Sequence, residues 1–413
     1  MERKFVTLDA DKCKGCITCM KRCPTEAIRV RGGKAKIIYE RCIACGECIR
    51  CCPYHAKKPV YDPFEMIHAF KYKVALPPPT IYGQFNNLTD INYVLDGLLR
   101  IGFDDIYETA RGGELLSQAT RRLIADGKAV KKPIIGTKCP AVVELILLKF
   151  HNLKDNMLNL LAPAEISAKL AREKAVADTG LKPEEIGVFY ITSCPAKVHS
   201  LSLSGFVDGV ISFSEVYFKL INEMPKIAEP RELSKAGLTG LSWAVSGGEA
   251  AAIFGNICFA VDGLENVMEI LKEIEDDKLM QTDFVELNAC SGGCVGGVLN
   301  IENPYIAKAK INALKKYTPI SKNDMDALGK PIEFFCNEKA YEVNEVMKLD
   351  DDRARAMSKL MQISEIYKHL AHLDCGICGA PSCKAFSEDV VLRGQELSTC
   401  IKFRLPDLHQ NDG

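Results

Sequence analysis

The chain has 413 residues, 47% of them hydrophobic and 26% charged, with a formal net charge of −1. That length holds a large core and two or three domains, and so balanced a charge gives no electrostatic case for binding nucleic acid or an anionic membrane surface. Nineteen cysteines are the outlier.

The first residues, MERKFVTLDADKC, contain no apolar targeting core, and no apolar run in the chain reaches the length that spans a bilayer. The expectation is a soluble, cytoplasmic protein without a membrane partner. A reducing cytosol keeps thiols free, so clustered cysteines there point to metal rather than to disulfides.

The first cluster is a repeat. Cys13-x2-Cys16-x2-Cys19-x3-Cys23-Pro24 returns as Cys42-x2-Cys45-x2-Cys48-x3-Cys52-Pro53, each cysteine 29 residues after its counterpart. Between the copies, IRVRGGKAKII reads as a hairpin turning at Gly32-Gly33. The spacing is that of bacterial two-cluster ferredoxins, in which the fourth cysteine of each run crosses to the other 4Fe-4S cluster. Cluster one then takes Cys13, Cys16, Cys19 and Cys52; cluster two takes Cys42, Cys45, Cys48 and Cys23; Cys51 is left over. Zinc, the alternative metal, prefers two pairs to two quartets with a crossover. Residues 1–62 are expected to form an α+β ferredoxin-like electron-transfer domain.

Two later stretches share a pattern. IIGTKCPAVVELILLKF and GVFYITSCPAKVHSL each run from an apolar strand through Thr-x-Cys-Pro-Ala into a helix. Proline at the first helical position has no N–H to leave unpaired, and the cysteine before it sits at the positive end of the helix. That environment favours a thiolate and an anionic cluster. A third stretch, ELNACSGGCVGG, carries Cys290 and Cys294 among glycines and has no local partners. Cys139 and Cys194 complete a four-ligand set with them. The strand–Cys-Pro–helix units favour parallel pairing, hence an α/β core of two lobes, each a small parallel sheet flanked by helices, over residues 63–350.

Residues 351–413 begin with a helical stretch and end in Cys375-x2-Cys378-x4-Cys383-x16-Cys400. Gly376 and Gly379 let backbone wrap a cluster, and CKAFSEDVVLRG reads as a short helix. This segment resembles the small single 4Fe-4S domain of corrinoid iron-sulfur proteins and electron-transport subunits; structural zinc fits four cysteines as well.

With its three segments in order, GTKCPAVVELI, ITSCPAKV and ELNACSGGCVGG, the chain from residue 1 to about 320 resembles the iron-only (FeFe) hydrogenases. The resemblance implies a 4Fe-4S cluster on Cys139, Cys194, Cys290 and Cys294, with Cys294 bridging to a two-iron centre that carries CO and cyanide and is installed by maturation proteins. It also implies that VALPPPTIYGQF, with Pro78, lines that centre, and that Lys197 donates to a cyanide, a task suited to an ammonium. A solvated Lys197 is the plainer alternative.

The departures bear on function. Catalytic members have a relay cysteine where this chain has Lys138, and their relay glutamates fall at about Gln118 and Arg121, neither of which passes protons at neutral pH. Trp243 in LSWAVSGGEAAAIFG stands for a phenylalanine and Asn288 for a methionine near the cofactor. Glu249 offers a substitute proton group, or else only caps the helix EAAAIFGNICFAV through Ser246-x-x-Glu249. Lys138 either titrates through burial or serves as a fixed cation beside the cluster. A lost relay with retained ligands resembles the sensory branch, which reacts slowly with H2. An ordinary ferredoxin-linked hydrogenase and a non-enzymatic Nar-type iron-sulfur assembly relative are the rivals. The expected cofactors are four 4Fe-4S clusters plus the dinuclear centre. The expected partners are H2, protons and a soluble redox partner such as ferredoxin or a signalling protein.

Overall fold

The computed structural model describes residues 4–127, 131–255 and 257–404. The chain divides into two compact units, one made of residues 1–42, 46–59 and 343–413 and the other of residues 43–45 and 60–342. Among the described residues no helix is long and apolar enough to cross a membrane.

Among the described residues the first unit holds four short strands, β1 (Val6–Leu8), β2 (Ile28–Arg31), β3 (Lys34–Ile37) and β4 (Lys57–Pro59). β1 pairs antiparallel with β4, and β2 with β3 in the register Ile28↔Ile37 to Arg31↔Lys34. The expected Gly32-Gly33 turn connects β2 to β3, both glycines at positive φ, as a two-residue hairpin demands. One-turn helices, Thr18–Lys21 and Glu47–Arg50, occupy equivalent places in the two copies of the repeat. Met20, Ile28, Ala35 and Ala56 pack with Cys13, Cys19 and Cys52 into one small core. The segment from residue 343 adds the helices Arg353–Lys368 and Cys383–Arg393 and a second small core of Leu370, Ala380, Ala385, Phe386 and Cys400. Asp389 joins the two parts. Arg29 donates to both its carboxylate oxygens at 2.6 and 3.1 Å, and Arg31 adds a bond of 3.0 Å. With Arg29 and Asp389 only 5% and 2% exposed, the forked geometry is what offsets the cost of burying the charges.

The second unit is built on two wholly parallel sheets. β5 (Tyr72–Leu76), β6 (Asp105–Ile106), β8 (Ile186–Thr192) and β9 (Gly209–Ser212) form one in the order β6-β5-β8-β9. β7 (Ile134–Ile135), β10 (Cys258–Asp262) and β11 (Phe284–Asn288) form the other in the order β10-β11-β7. Every residue of β8, β9 and β11 is buried, as expected of parallel strands covered on both faces. Val94, Leu95, Phe103, Phe189, Ile191 and Phe213 centre the core around the four-stranded sheet.

One expected element differs. The helix from Glu249 spans only Gly248–Ile253, ends at Phe254 with φ 57°, and the following apolar run becomes β10. A short apolar run does not reveal its period; here pairing with β11 along five residues decides it.

Three segments leave the carboxyl ends of strands, the usual place for a ligand in α/β sheets. Cys139 follows β7 and is the N-cap of the helix Pro140–Lys149, with Pro140 at its start. Cys194 follows β8 and is the N-cap of Pro195–Ser204. Cys290 and Cys294 follow β11.

Candidate metal centres

In the first unit the repeat extends to the sulfur contacts. The amide of Ala27 donates to Cys23 Sγ at 3.2 Å, and that of Ala56, its counterpart 29 residues on, to Cys52 Sγ at 3.3 Å. Ala35 N reaches Cys13 Sγ at 3.5 Å. Amide donors aimed at sulfur stabilise thiolates and tune bound clusters. Burial pushes the Cys52 thiol up, yet the amides of Ala56, Tyr54 and Lys57 hold it below its usual value. The neighbours cross between copies. Cys19 is raised by burial and, against the pull of Lys57, by charge on Cys16, Cys52 and Cys13. Cys48 is raised by burial and, against the same lysine, by Cys42 and Cys23 before Cys19. Near the C-terminal end, Cys378 is raised by burial and by Cys400 and Cys375, and Cys383 by burial, Asp374 and Cys400. The donor sets and their amide bonds fit anionic iron-sulfur clusters.

In the second unit Cys139, Cys194 and Cys294 converge. Cys194 is raised to about 12, first by burial and then by Cys294 and Cys139, with Lys197 opposing; Cys139 is raised by burial and by Cys294. Glycine makes the approach possible. A Cβ on Gly297 would lie 2.3 Å from Ser193 O, and one on Gly293, at φ +90°, 2.4 Å from Ser246 N. Leu299 N then donates to Ser193 O at 3.0 Å, which ties the third segment to the loop that carries Cys194.

Beside Cys294 lies a cavity lined by Pro78, Thr80, Thr109, Lys138, Tyr190, Lys197 and Trp243, among others. Lys197 Nζ donates to Tyr190 Oη at 3.0 Å. Burial alone lowers its pKa, but Tyr190, Cys294 and Cys194 raise it well above the ordinary lysine value, so it is a fixed cation facing the cavity. A buried and a half-buried ammonium group and a converging set of thiols fit an anionic iron group at this place.

Lys138 is the second cation. Its Nζ lies 2.6 Å from Glu286 Oε1 and 3.7 Å from Glu249 Oε2, with all three side chains at most 4% exposed, and 5.5 Å from the Trp243 ring centroid. Burial lowers its pKa, and Glu286, Glu249 and Cys294 outweigh that and raise it. The Glu286 and Glu249 carboxylates thus favour the charged form of Lys138. Glu286 was not singled out from the sequence. It receives Lys138, Asn288 Nδ2 at 2.8 Å, Gly247 N at 3.1 Å and Ala250 N at 2.9 Å. It thus caps the helix that Ser246-x-x-Glu249 was expected to cap, and the N-terminus of that helix has no side-chain bond of its own from Gly247. Glu249 packs instead against Gly136 and Lys138, and its Oε2 has no hydrogen-bond partner. Asn288 turns its amide to Glu286 and lies outside the cavity lining.

The residues at the expected glutamate-relay positions lie away from the cavity. Gln118 exchanges bonds with Asn323 O and Met325 N, and Arg121 donates to Ala252 O; neither lines the cavity. The buried acid of the helix Thr109–Ala125 is Glu114, one turn earlier, which accepts from Gly237 N, Ser321 Oγ, Lys322 N and Asn323 N. With four donors it is a tether between loops.

Burial, opposed by Lys138 and assisted by Glu286, raises Glu249 from 4.5 to about 8. Between those values the folded chain keeps a proton that the unfolded chain has released, so stability falls as pH rises through the window, by about 1.4 kcal/mol for each unit of difference. Glu249→Gln should flatten the pH dependence of the denaturation midpoint between about pH 5 and pH 8. An unchanged slope would place the titration elsewhere.

Residues 71–258 and 254–298 match the family described as iron only hydrogenase large subunit, C-terminal domain. Residues 5–53 match a 4Fe-4S dicluster domain and residues 370–401 an Fe-S cluster family. A component of the ion-translocating oxidoreductase complex of Methanosarcina acetivorans is 50% identical over 44 residues, 11% of this chain and 17% of that protein. A ferredoxin of Methanothermococcus thermolithotrophicus is 41% identical over 54 residues, 12% of this chain and 90% of the ferredoxin. Among solved structures, a variant of the FeFe-hydrogenase HydA1 from Chlamydomonas reinhardtii aligns with TM-score 0.51 and 14% identity, over 66% of this chain and 95% of that one. A second FeFe-hydrogenase structure, described for oxygen inactivation of its H cluster, aligns with TM-score 0.52 and 16% identity over 70% and 97%. At these identities the structural likeness is one of fold; the family match itself runs from residue 71 to residue 298, more than half of the sequence, and by that extent the chain belongs to the iron-only hydrogenase family.

Proposed function

We propose that this chain is a low-turnover FeFe hydrogenase of the sensory kind, reacting reversibly with hydrogen (H2 = 2 H+ + 2 e−) and exchanging the electrons with a soluble one-electron carrier such as a ferredoxin or a signalling protein. Its place is the cytoplasm, without membrane or nucleic acid. The observation that carries the reading is the pairing of a retained cationic cavity, Lys197 and Cys294 facing one space, with a blocked position at Lys138, whose ammonium is engaged by Glu286.

In this reading Cys139, Cys194, Cys290 and Cys294 would hold the central cluster, and a dinuclear iron centre in the cavity beside Cys294 would supply the hydrogen-reactive metal when bound. Lys197 orients an anionic diatomic ligand through its ammonium, fixed by Tyr190. Pro78 and Trp243 present apolar surface that keeps water out of the cavity. Lys138 stabilises negative charge at the cluster but does not carry protons, because its pKa is raised rather than lowered. Glu249, raised to about 8 and 3.7 Å from the Lys138 ammonium, is the group beside it that can hold a proton.

Infrared spectra after maturation with the dinuclear cofactor test the assignment. CO and cyanide stretching bands that shift under hydrogen are expected; a matured protein without those bands is a non-enzymatic relative of Nar type. The other twelve ligands are the ferredoxin set (Cys13, Cys16, Cys19, Cys23, Cys42, Cys45, Cys48, Cys52) and Cys375, Cys378, Cys383 and Cys400. About sixteen irons per chain are then expected before maturation and about eighteen after it, four for each cubane. A value near twelve, with zinc present, would reassign one site.

A further inference from the structure

We propose that the C-terminal cysteine site exchanges electrons directly with the ferredoxin-side cluster of Cys13, Cys16, Cys19 and Cys52, the two forming one continuous wire. The inference rests on the cubane ligation proposed above and not on the hydrogen reaction.

Both cysteine sets lie in the first compact unit, and their ligand loops touch. Gly376, next to Cys375, stands at φ +78°, and a Cβ there would fall 3.0 Å from Met20 Cε and 3.3 Å from Ile17 Cδ1. Ile17 and Met20 flank Cys19 in the Cys16–Cys19 loop. Gly379, next to Cys378, leaves no room for a side chain against Val30 O, and Val30 N donates to Gly379 O at 3.0 Å. The C-terminal loop is thereby bonded to the edge of β2.

Cations hold the same loop by its carbonyls. Lys21, between Cys19 and Cys23, donates to Asp374 O and Pro381 O, and Arg31 donates to Cys378 O. The seam is fastened by Asp389, which receives Arg29 and Arg31. Electron transfer through protein weakens exponentially with separation, and these contacts join the loops that carry Cys375 and Cys378 to the segment around Cys19 and to β2 with no other chain between them. Positive charge beside a cluster favours its reduced form, so Lys21 and Arg31 make the C-terminal site an easier acceptor. In the step itself one electron leaves one cluster and enters the other. The first is oxidised, the second reduced, no bond forms or breaks, and the electron originates in the external one-electron carrier.

The test uses the full chain, anaerobic and reduced with dithionite, read by electron paramagnetic resonance and redox titration. In the wild type the C-terminal cluster should contribute broadened, spin-coupled features. Cys378→Ser/Cys383→Ser, with about four irons fewer, should change the line shape of the remaining ferredoxin signals as well as remove its own. Lys21→Met lies outside every ligand set; with iron content unchanged, it should shift the midpoint potential of the C-terminal cluster to a lower value. If the signal lost in the double variant is a simple isolated one, or Lys21→Met leaves the potential unmoved, the wire is overturned while ligation stands. Zinc in place of iron at this site would overturn both.

Discussion

Lys138→Cys should destabilise the second unit severely instead of restoring a working relay. The position looks like an invitation to put back the cysteine of catalytic relatives, yet the ammonium it removes lies 2.6 Å from Glu286, whose side chain is 0% exposed. Burial raises the Glu286 carboxyl, but Lys138 first and then Ala250 N and Asn288 hold it below the usual range. Without Lys138 a buried carboxylate keeps only neutral donors, and breaking a buried pair by removing one partner costs about 3–5 kcal/mol. Lys138→Cys/Glu286→Gln should recover part of that, because the amide oxygen still accepts from one of the two backbone donors, Gly247 N or Ala250 N, while the charge is gone. Anaerobic denaturation of the two single variants and the double variant closes the cycle. The coupling should exceed about 1 kcal/mol, as for residues in one network. A Lys138→Cys protein as stable as the wild type would show that the pair does not hold the fold at this point.

Hydrogen turnover is the second large effect. A positioned acid–base group contributes about 10²–10⁴-fold to proton transfer, and a lysine held charged supplies none of it. The matured wild type should therefore exchange H2 with solvent deuterons slowly, and the stabilised Lys138→Cys/Glu286→Gln variant faster, since a thiol near ~8.5 is better matched to neutral pH than an amine near ~10.4. Glu249 decides how far the gain extends. Its carboxyl lies 3.7 Å from the Lys138 ammonium and titrates near 8. Adding Glu249→Gln should cancel most of the increase if this acid is the next carrier, and leave it intact if protons leave by another way. Fast exchange by the wild type would make this an ordinary hydrogenase with an unfamiliar path.

Features set by local chemistry were legible before the structure. The doubled cysteine spacing, the Gly32-Gly33 turn and the two strand–Cys-Pro–helix units depend on neighbours a few residues away, and they appear where the sequence places them. Long-range pairings were not legible. Glu286 sits in FVELN, an apolar strand where a single acid passes for a surface residue, and its partner is 148 positions away. The capping box at Ser246 was a sound local signal that lost to this distant carboxylate. Gln118 and Arg121 are engaged by Asn323, Met325 and Ala252, partners more than a hundred positions away that a helical pattern does not reveal. Arg29 and Asp389, 360 residues apart, give no hint of each other in the sequence.

The joining of residues 1–42 and 46–59 with residues from 343 onward has a consequence for the order of events during synthesis. Chains fold as they emerge, amino-terminal domains first, and both copies of the repeat can gather their cysteines as soon as residue 52 has left the ribosome. The partner surface for Arg29, Arg31 and Lys21 is translated some three hundred residues later. Until then β2 presents an unpaired amide at Val30 and three uncompensated cations to solvent, while the second unit, which needs nothing beyond residue 342, completes itself in between. Closing such a long loop is slow compared with local folding. The newborn chain thus passes through a stage in which its middle is finished and its beginning still waits for its end.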